Sequence, residues 1–266
     1  LSPGLRFATY KIDPQTYDGY ALTTGALPET RSDQRLLKSL GATYRFNDTY
    51  SIWAKYGEGF KMPTAQQLYS SSSGFYSSIP APNLAPEEVA NVEVGVRGEY
   101  GRGFFSVNAF QADYTNFIEG FYFIPGTNNY TSRNIRDVEV WGIEASGAYE
   151  FSEVLRANFS AAYQKGRQRA TPDSEQTAFN VAPLSGTIGL AYDIPQMDLE
   201  LEAIGTFASG YSENANPANC NPHGYALLDL YATWKPTKLG TFTFGVQNVF
   251  DRRYFNNGAA AYEQTP

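Results

Sequence analysis

The 266-residue sequence predicts an all-β protein, and more narrowly an antiparallel up-and-down transmembrane β-barrel, from three regularities. Apolar and polar residues alternate with a period of two along most of the chain, which is the spacing of strands. Short turns alternate with long polar loops, as in a meander whose two ends differ. An aromatic residue in the apolar phase comes before each short turn, which is typical of the girdle at a membrane interface.

The alternation predicts about eleven strands. It is clearest between Ala90 and Tyr100, where valines occupy one face and Asn, Glu and Arg occupy the other. It loses its phase near Phe110, and we expect a β-bulge there. In chain order, the strands are expected at about 4–12, 36–46, 49–60, 90–100, 104–123, 136–150, 155–166, 184–193, 198–211, 225–236 and 240–255.

The connections differ in length at the two ends of this meander. Short turns are expected at 47–48, 101–103, 151–154, 195–196 and 236–240, and long loops at 12–35, 61–87, 124–135, 169–183 and 212–224. The aromatic residues before the short turns are Phe46, Tyr100, Tyr149, Tyr192 and Trp234. A soluble β-sandwich or propeller also has alternating strands, but it gives no reason for long and short connections to take turns.

In a barrel, the apolar phase faces lipid and the polar phase faces the lumen. We therefore expect one set of side chains on the convex side: Val92, Val94, Val96, Phe159, Ala161 and Leu230. A second, charged set is expected on the concave side: Glu93, Arg97, Arg156 and Asp229. Contact with water or with a plug explains these charges without an enzyme active site.

The composition argues against several classes of function. A formal net charge of −7 disfavours nucleic-acid binding, which needs a basic face to neutralise phosphates. Cys220 and His223 are the sole cysteine and histidine, so neither an intramolecular disulfide nor a zinc site of Cys and His ligands is possible. We expect no metal site and no resident cofactor. No segment reaches the roughly 18 consecutive apolar residues of a membrane helix.

Three motifs lie where predicted strands meet predicted loops: "YGEGFKMPTAQQLY" at 56–69, "APNLAPEEVANVEVGVRGEY" at 81–100 and "GVQNVFDRRY" at 245–254. Together they resemble three boxes of the TonB-dependent outer-membrane receptors. The matching residues are Gly59, Phe60 and Pro63 in box 1, Asn83, Leu84, Pro86 and Glu87 in box 2, and Asn248, Phe250, Asp251 and Tyr254 in box 3. The departures from the family pattern are Lys61, Met62, Ala81 and Val249.

This resemblance implies a bacterial outer-membrane receptor with a plug domain inside a barrel of about twenty-two strands. Residues 1–266 are then expected to be the C-terminal portion of the barrel domain, with the plug, the first barrel half and the last strand outside this chain. The implied partners are the lipid bilayer, a TonB-type energising protein acting through the plug, and an iron-containing small molecule or haemoprotein.

The ligand is less clearly implied than the family. Segments such as "PLSGTIGLAYDIP" and "HGYALLDLYATW" resemble the haem and haemoprotein branch, yet residues 64–80 lack the histidine usual there. Haem or haemoprotein uptake and ferric siderophore uptake therefore both stay open. The ligand-binding residues we expect are Tyr69, Phe75, Tyr76 and His223, because haem iron takes a His, Tyr, Met or Cys ligand and aromatics suit binding loops.

Two other functions are weaker. An outer-membrane hydrolase needs a base beside a nucleophile, and His223 has no neighbouring serine in the sequence. A passive porin or adhesin has none of the three boxes. We therefore expect an active-transport receptor with no catalytic residues.

Overall fold

The computed structural model describes residues 1–15, 28–72, 74–211, 213, 221–236 and 240–255. Its strands are β1 (Ser2–Ile12), β2 (Arg31–Arg45), β3 (Tyr50–Lys61), β4 (Ser77–Ile79), β5 (Glu87–Tyr100), β6 (Gly103–Phe123), β7 (Asn129–Glu150), β8 (Leu155–Arg169), β9 (Thr177–Phe179), β10 (Ser185–Ile194), β11 (Leu199–Ala208), β12 (Tyr225–Trp234) and β13 (Phe242–Val246). A short helix α1 (Ala65–Tyr69) and a 3-10 turn (Pro195–Met197) complete the described elements. In the described part of the chain, no helix has the length and hydropathy needed to cross a membrane.

The strands confirm the predicted antiparallel meander. Eleven of them form one sheet in the order β1-β2-β3-β5-β6-β7-β8-β10-β11-β12-β13, each paired with its neighbour in the chain once the two short strands are set aside. The short strand β4 pairs in parallel with β7, and β9 pairs with β8. Because consecutive strands are antiparallel, all five short connections lie at one end, which we call the turn end. The opposite end is called the loop end.

The two phases of the alternation occupy opposite faces of the sheet. Val94 lies directly opposite Ala54 on one side and Ala109 on the other, so the three side chains share a face. Glu93 lies opposite Lys55 on the other face. Large apolar residues of the first face stay about half exposed in this chain, with Val94 at 50%. Lipid is the environment that can cover a continuous band of this kind.

The predicted aromatic girdle is present at the turn end. All five expected residues are exposed, and the rings of Tyr100 and Tyr149 lie 6.3 Å apart. Trp234 packs against Phe242 of the next strand at 5.8 Å. On the other face near the same end, Arg156 donates hydrogen bonds to Asp193 and Glu200. The charged side chains on this face of the sheet thus partly neutralise one another.

The predicted bulge at Phe110 is wrong. Pairing between β5 and β6 runs without interruption from Gly103 to Thr115, and the register shift of β6 against β7 falls between Glu119 and Tyr122. The hydrophobic phase changes near Phe110 because β6 continues beyond the apolar band. Beyond the apolar band, Phe110 packs in a cluster with Val138 on one face of the sheet, while the face that carries Val94 continues with polar residues such as Gln111.

Several expected boundaries also need correction. The loop expected at 124–135 is wrong, because β6 and β7 continue to Phe123 and from Asn129, which leaves a turn of five residues. The last strand ends at Val246 and does not reach 255, because Asn248 and Asp251 adopt φ angles of 50° and 48°. These two left-handed residues turn the chain away from the extended conformation of β13. Within the expected loops, α1, β4 and β9 were not anticipated.

The long β6–β7 hairpin projects past its neighbours. The last residue of β6 that pairs with β5 is Thr115, and the first residue of β7 that pairs with β8 is Asp137. Each strand therefore has eight residues beyond these pairs, namely 116–123 and 129–136. At about 3.4 Å per residue they extend the sheet by about 27 Å at the loop end. We call residues 116–136 the tip hairpin.

Candidate ligand-binding surface at the loop end

Box 1 ends β3 and starts α1. Pro63 is fully buried, and Thr64 caps the helix: its hydroxyl accepts a hydrogen bond from the Gln67 backbone nitrogen at 3.2 Å. The Gln67 side chain accepts one in return from the Thr64 nitrogen at 2.9 Å. This reciprocal pair is a capping box, which satisfies two backbone donors at the helix start. Box 1 thereby directs the chain from the barrel wall into the long connection 62–86.

Box 2 is attached to the rest of the loop end by side chains from distant strands. The Arg31 guanidinium donates to the carbonyls of Pro82 and Leu84 at 3.0 and 2.8 Å. The Asn134 amide exchanges two hydrogen bonds with the backbone of Ala85, at 2.8 and 3.1 Å. Asn83 stays exposed and Pro86 is buried. Box 2 thus fixes the end of the connection to β2 and to the tip hairpin.

Buried residues of both boxes meet the tip hairpin. Leu84 forms an apolar cluster with Leu68, Tyr69 and Ile118. The Glu87 side chain is 9% exposed and accepts a hydrogen bond from the Ile118 backbone nitrogen at 3.2 Å. Two further box residues, Gly59 and Phe60, are half-buried on β3. In the described structure these contacts position backbone and loops.

Box 3 is a compact turn after β13. The Asn248 side chain donates to the Arg252 carbonyl at 3.0 Å and accepts from the Arg252 nitrogen at 2.9 Å. Its backbone nitrogen donates to Asp229 of β12 at 2.6 Å. Tyr254 stacks at 4.6 Å on Tyr225, the first residue of β12. Two other box residues, Phe250 and Asp251, are exposed.

The four expected ligand-binding residues have different environments. Tyr69 is only 6% exposed, and its hydroxyl donates to the Glu29 carbonyl at 2.7 Å. Phe75 and Tyr76 are exposed, with their rings in edge contact at 5.0 Å. His223 is exposed just before β12. The structure therefore brings Phe75 and Tyr76 together but places Tyr69 in the apolar cluster.

His223 is also remote from Tyr76. The Tyr76 ring lies against Phe123 at the end of β6, whereas His223 enters β12. Five strand spacings separate β6 from β12, or about 24 Å along the sheet. Near His223, burial raises the pKa of the Tyr211 phenol, which disfavours the phenolate form that binds iron. The structure therefore does not bring Tyr76 and His223 to one place.

Tyr76 belongs to a larger exposed group that the sequence did not indicate. Its ring lies 6.0 Å from Phe123, which lies 6.2 Å from Tyr130, which in turn lies 5.7 Å from Phe121. We call Phe75, Tyr76, Phe121, Phe123 and Tyr130 the aromatic patch. The one available signal was the Phe-x-Phe spacing at 121 and 123, since alternate residues of a strand share a face.

The patch lies in an uncharged part of the surface. Residues 70–80 and 120–132 contain no Asp, Glu, Lys or Arg. The adjacent Arg133 is engaged elsewhere, because its guanidinium lies 3.5 Å from the Tyr122 ring centroid and bonds to Glu119 at 2.6 Å. The loop end therefore presents neutral aromatic rings among Ser, Thr, Asn and Gly.

Comparison with known proteins places this arrangement in a family. A family model described as "TonB dependent receptor-like, beta-barrel" matches residues 1–249. The chain belongs to this family. Its members are bacterial outer-membrane proteins, so the predicted family and location are confirmed.

Curated relatives of this receptor barrel include haemoglobin-binding proteins. The chain is 29% identical over 251 residues to a probable hemoglobin and hemoglobin-haptoglobin-binding protein 4 of Haemophilus influenzae, which covers 81% of this chain and 25% of the relative. It is 24% identical over 297 residues to hemoglobin-haptoglobin utilization protein B of Neisseria meningitidis, and this match covers 96% of this chain and 36% of the relative. A vitamin B12 transporter of Vibrio vulnificus is 26% identical to the chain, and this match covers 81% of this chain and 33% of the transporter. The chain therefore spans about a quarter to a third of their length.

Solved structures agree on the fold. The copper transporter OprC superposes with a TM-score of 0.78 at 18% identity, covering 95% of this chain and 39% of that one. The Serratia marcescens hemophore receptor HasR, solved with its hemophore HasA and heme, superposes with a TM-score of 0.69 at 19% identity, covering 95% of this chain and 44% of that one. Among these proteins, the Vibrio vulnificus relative and OprC are named as transporters, and HasR is named as a receptor. At such identities the structural matches show the receptor barrel fold alone.

Proposed function

We propose that the complete protein is an active-transport receptor that captures haem or a haem-carrying protein at the loop end for TonB-energised uptake across the outer membrane. The observation that carries this proposal is the match, along 81% and 96% of the chain, to proteins named for haemoglobin binding and for haemoglobin-haptoglobin utilization. Their names also favour haem over the ferric siderophore that the sequence left open. We propose no catalytic role for any residue of this chain.

The described residues contribute three parts to this function. The eleven-stranded sheet supplies barrel wall, with β1 and β13 at its edges. The boxes hold the connection 62–86 and the tip hairpin in one arrangement. The aromatic patch supplies contact surface on the extracellular side. If this chain provides an iron ligand, His223 is the better candidate, since the hydroxyl of Tyr69 is bonded to Glu29 and the Tyr76 ring lies within the aromatic patch against Phe75 and Phe123.

Growth and binding experiments test this proposal. A strain that depends on the complete receptor is expected to grow on haemin or haemoglobin as its iron source, and to lose that growth without TonB. The purified receptor is expected to shift the haemin Soret band, His223→Ala tests the candidate iron ligand in this chain, and Tyr76→Phe is expected to leave the shifted band unchanged. Growth on a ferric siderophore alone, with a haemin spectrum identical to that of free haemin, overturns the proposal.

A further inference from the structure

The aromatic patch is large for a surface that meets only water. Four of its rings are strongly exposed: Phe75 at 76%, Phe121 at 69%, Tyr76 at 58% and Phe123 at 57%. At about 200 Å² per ring, they leave on the order of 500 Å² of aromatic surface uncovered. Exposed apolar patches of this size usually mark an interaction site, and a standard protein interface covers about 800 Å² per partner.

The orientation of the rings disfavours a flat ligand. The four ring pairs of the patch differ widely in orientation, with interplanar angles of 88° for Phe75 and Tyr76, 78° for Tyr76 and Phe123, 57° for Phe123 and Tyr130, and 35° for Phe121 and Tyr130. A porphyrin or an aromatic chelate binds best against ring faces that share one plane or form a parallel slot. Neighbouring rings at such different angles instead make an uneven surface. Such a surface complements the pockets and ridges of another folded protein.

The absence of charge disfavours an anionic ligand. An anionic ferric chelate, the carboxylates of haem and the phosphates of a lipid surface form their strongest hydrogen bonds with Arg or Lys. Residues 70–80 and 120–132 have neither, and Arg133 is held by Glu119 and Tyr122. Rigid aromatics set among Ser, Gly and Asn are the composition of protein-binding loops, where Tyr and Phe provide area at small entropic cost.

The position of the patch supports the same partner. Phe121, Phe123 and Tyr130 lie on the tip hairpin, whose strands extend eight residues beyond the pairs with β5 and β8. A partner too large to enter the barrel therefore meets this surface before the barrel opening. A free small molecule on its way to the lumen has no need of contacts so far out.

We infer that the aromatic patch docks the polypeptide surface of a haem-carrying protein and does not bind the haem itself. This inference rests on the proposed function and assigns the patch a share of the affinity for the carrier. The contact is dominated by aromatic burial, so it is expected to be insensitive to salt. Free haemin is bound elsewhere in the receptor.

The test compares two probes on the complete receptor, haemoglobin and haemin. Tyr76→Ala, Phe121→Ala and Phe123→Ala are made singly and together, with Phe151→Ala as the control because that phenylalanine is 55% exposed at the turn end. Each single substitution is expected to weaken haemoglobin binding about 5- to 30-fold, as for interface hot spots, and the triple at least 100-fold. The affinity of these variants for haemin is expected to stay within twofold of the wild-type value. The control variant is expected to bind both probes within twofold of the wild-type affinity.

Three results overturn the inference. Haemoglobin binding that is unchanged in the triple variant removes the patch from the interface. A parallel loss of haemin binding means that the patch contacts haem. A wild-type receptor that binds haemin but not haemoglobin refutes protein docking while the proposed function stands. If the wild-type receptor binds neither probe, the proposed function itself fails, and the inference fails with it.

Discussion

Substituting Asn134 by alanine is expected to loosen the connection 62–86 without unfolding the barrel. The Asn134 amide accepts from the Ala85 nitrogen at 2.8 Å and donates to the Ala85 carbonyl at 3.1 Å and the Asn116 carbonyl at 2.7 Å. Asn134→Ala leaves all three backbone groups without this partner. The barrel strands are untouched, because Asn134 lies on the tip hairpin beyond the pairs with β8.

The size of the expected change in the free energy of local opening follows from the number of lost hydrogen bonds and from their burial. A net contribution of about 1 kcal/mol for each hydrogen bond gives an upper value of about 3 kcal/mol. The site is only partly buried, so water replaces some of the lost bonds, and we take about 2 kcal/mol for the free energy of local opening. This corresponds to a rise of about 30-fold in the open population.

Hydrogen exchange measured by mass spectrometry on the complete receptor tests this value. The peptide covering 80–90 is expected to exchange about 30-fold faster in Asn134→Ala, while peptides from β10 and β11 exchange at the wild-type rate. Asn108→Ala is the matched control, because that amide bonds to one exposed carboxylate, Glu144, at 3.1 Å. Unchanged exchange at 80–90, or faster exchange throughout the sheet, contradicts the reasoning.

Three further substitutions test other parts of the structure. Leu68→Ala is expected to destabilise the loop end by about 3 kcal/mol, because Leu68 is fully buried, and limited proteolysis of the connection 62–86 reports it. Val94→Arg on the lipid-facing side is expected to lower the free energy of folding into bilayers, measured with urea, by about 2–4 kcal/mol. Asn108→Arg on the other face is expected to be tolerated. Equal losses for the two variants contradict the assigned faces. The Thr30 hydroxyl donates a hydrogen bond to the Asp13 carboxylate and, together with Lys11, lowers the pKa of Asp13. The stabilisation from this interaction is therefore present above the ordinary Asp pKa and is lost as the pH falls through the lowered value. Thr30→Val is expected to raise the pKa of Asp13 in an NMR titration.

The membrane-spanning part of the fold could be predicted because lipid imposes one rule on every strand. A strand between lipid and lumen must alternate, and β5 and β8 therefore show their faces in the sequence itself. The tip hairpin escapes this rule, since it lies beyond the lipid-facing band and packs against the connection 62–86, so neither of its faces needs a continuous alternation. Its second strand, with Asn, Thr, Ser and Arg, has the composition of a loop.

The candidate site was less predictable because its contacts join distant parts of the chain. Tyr69 has the chemistry of an iron ligand, but its burial depends on Leu84 and Ile118, which no local pattern connects to it. Tyr76 and Phe123 are 47 positions apart in the sequence and touch only because the connection 62–86 crosses the tip hairpin. Residue type alone therefore identified some members of the patch but not their grouping.

The parallel pairing of β4 with β7 has a consequence for the order of assembly. Ser77, Ser78 and Ile79 pair with Asn129, Tyr130 and Thr131 on the edge of β7 that is not used by β6. The partner edge exists only after the β6–β7 hairpin has formed, although β4 precedes both of these strands in the chain. During biogenesis the connection 62–86 must therefore wait, with its backbone donors open, until the hairpin behind it is complete. The aromatic patch, in which Tyr76 precedes β4 and contacts Phe123 of β6, therefore forms only once the β6–β7 hairpin is in place.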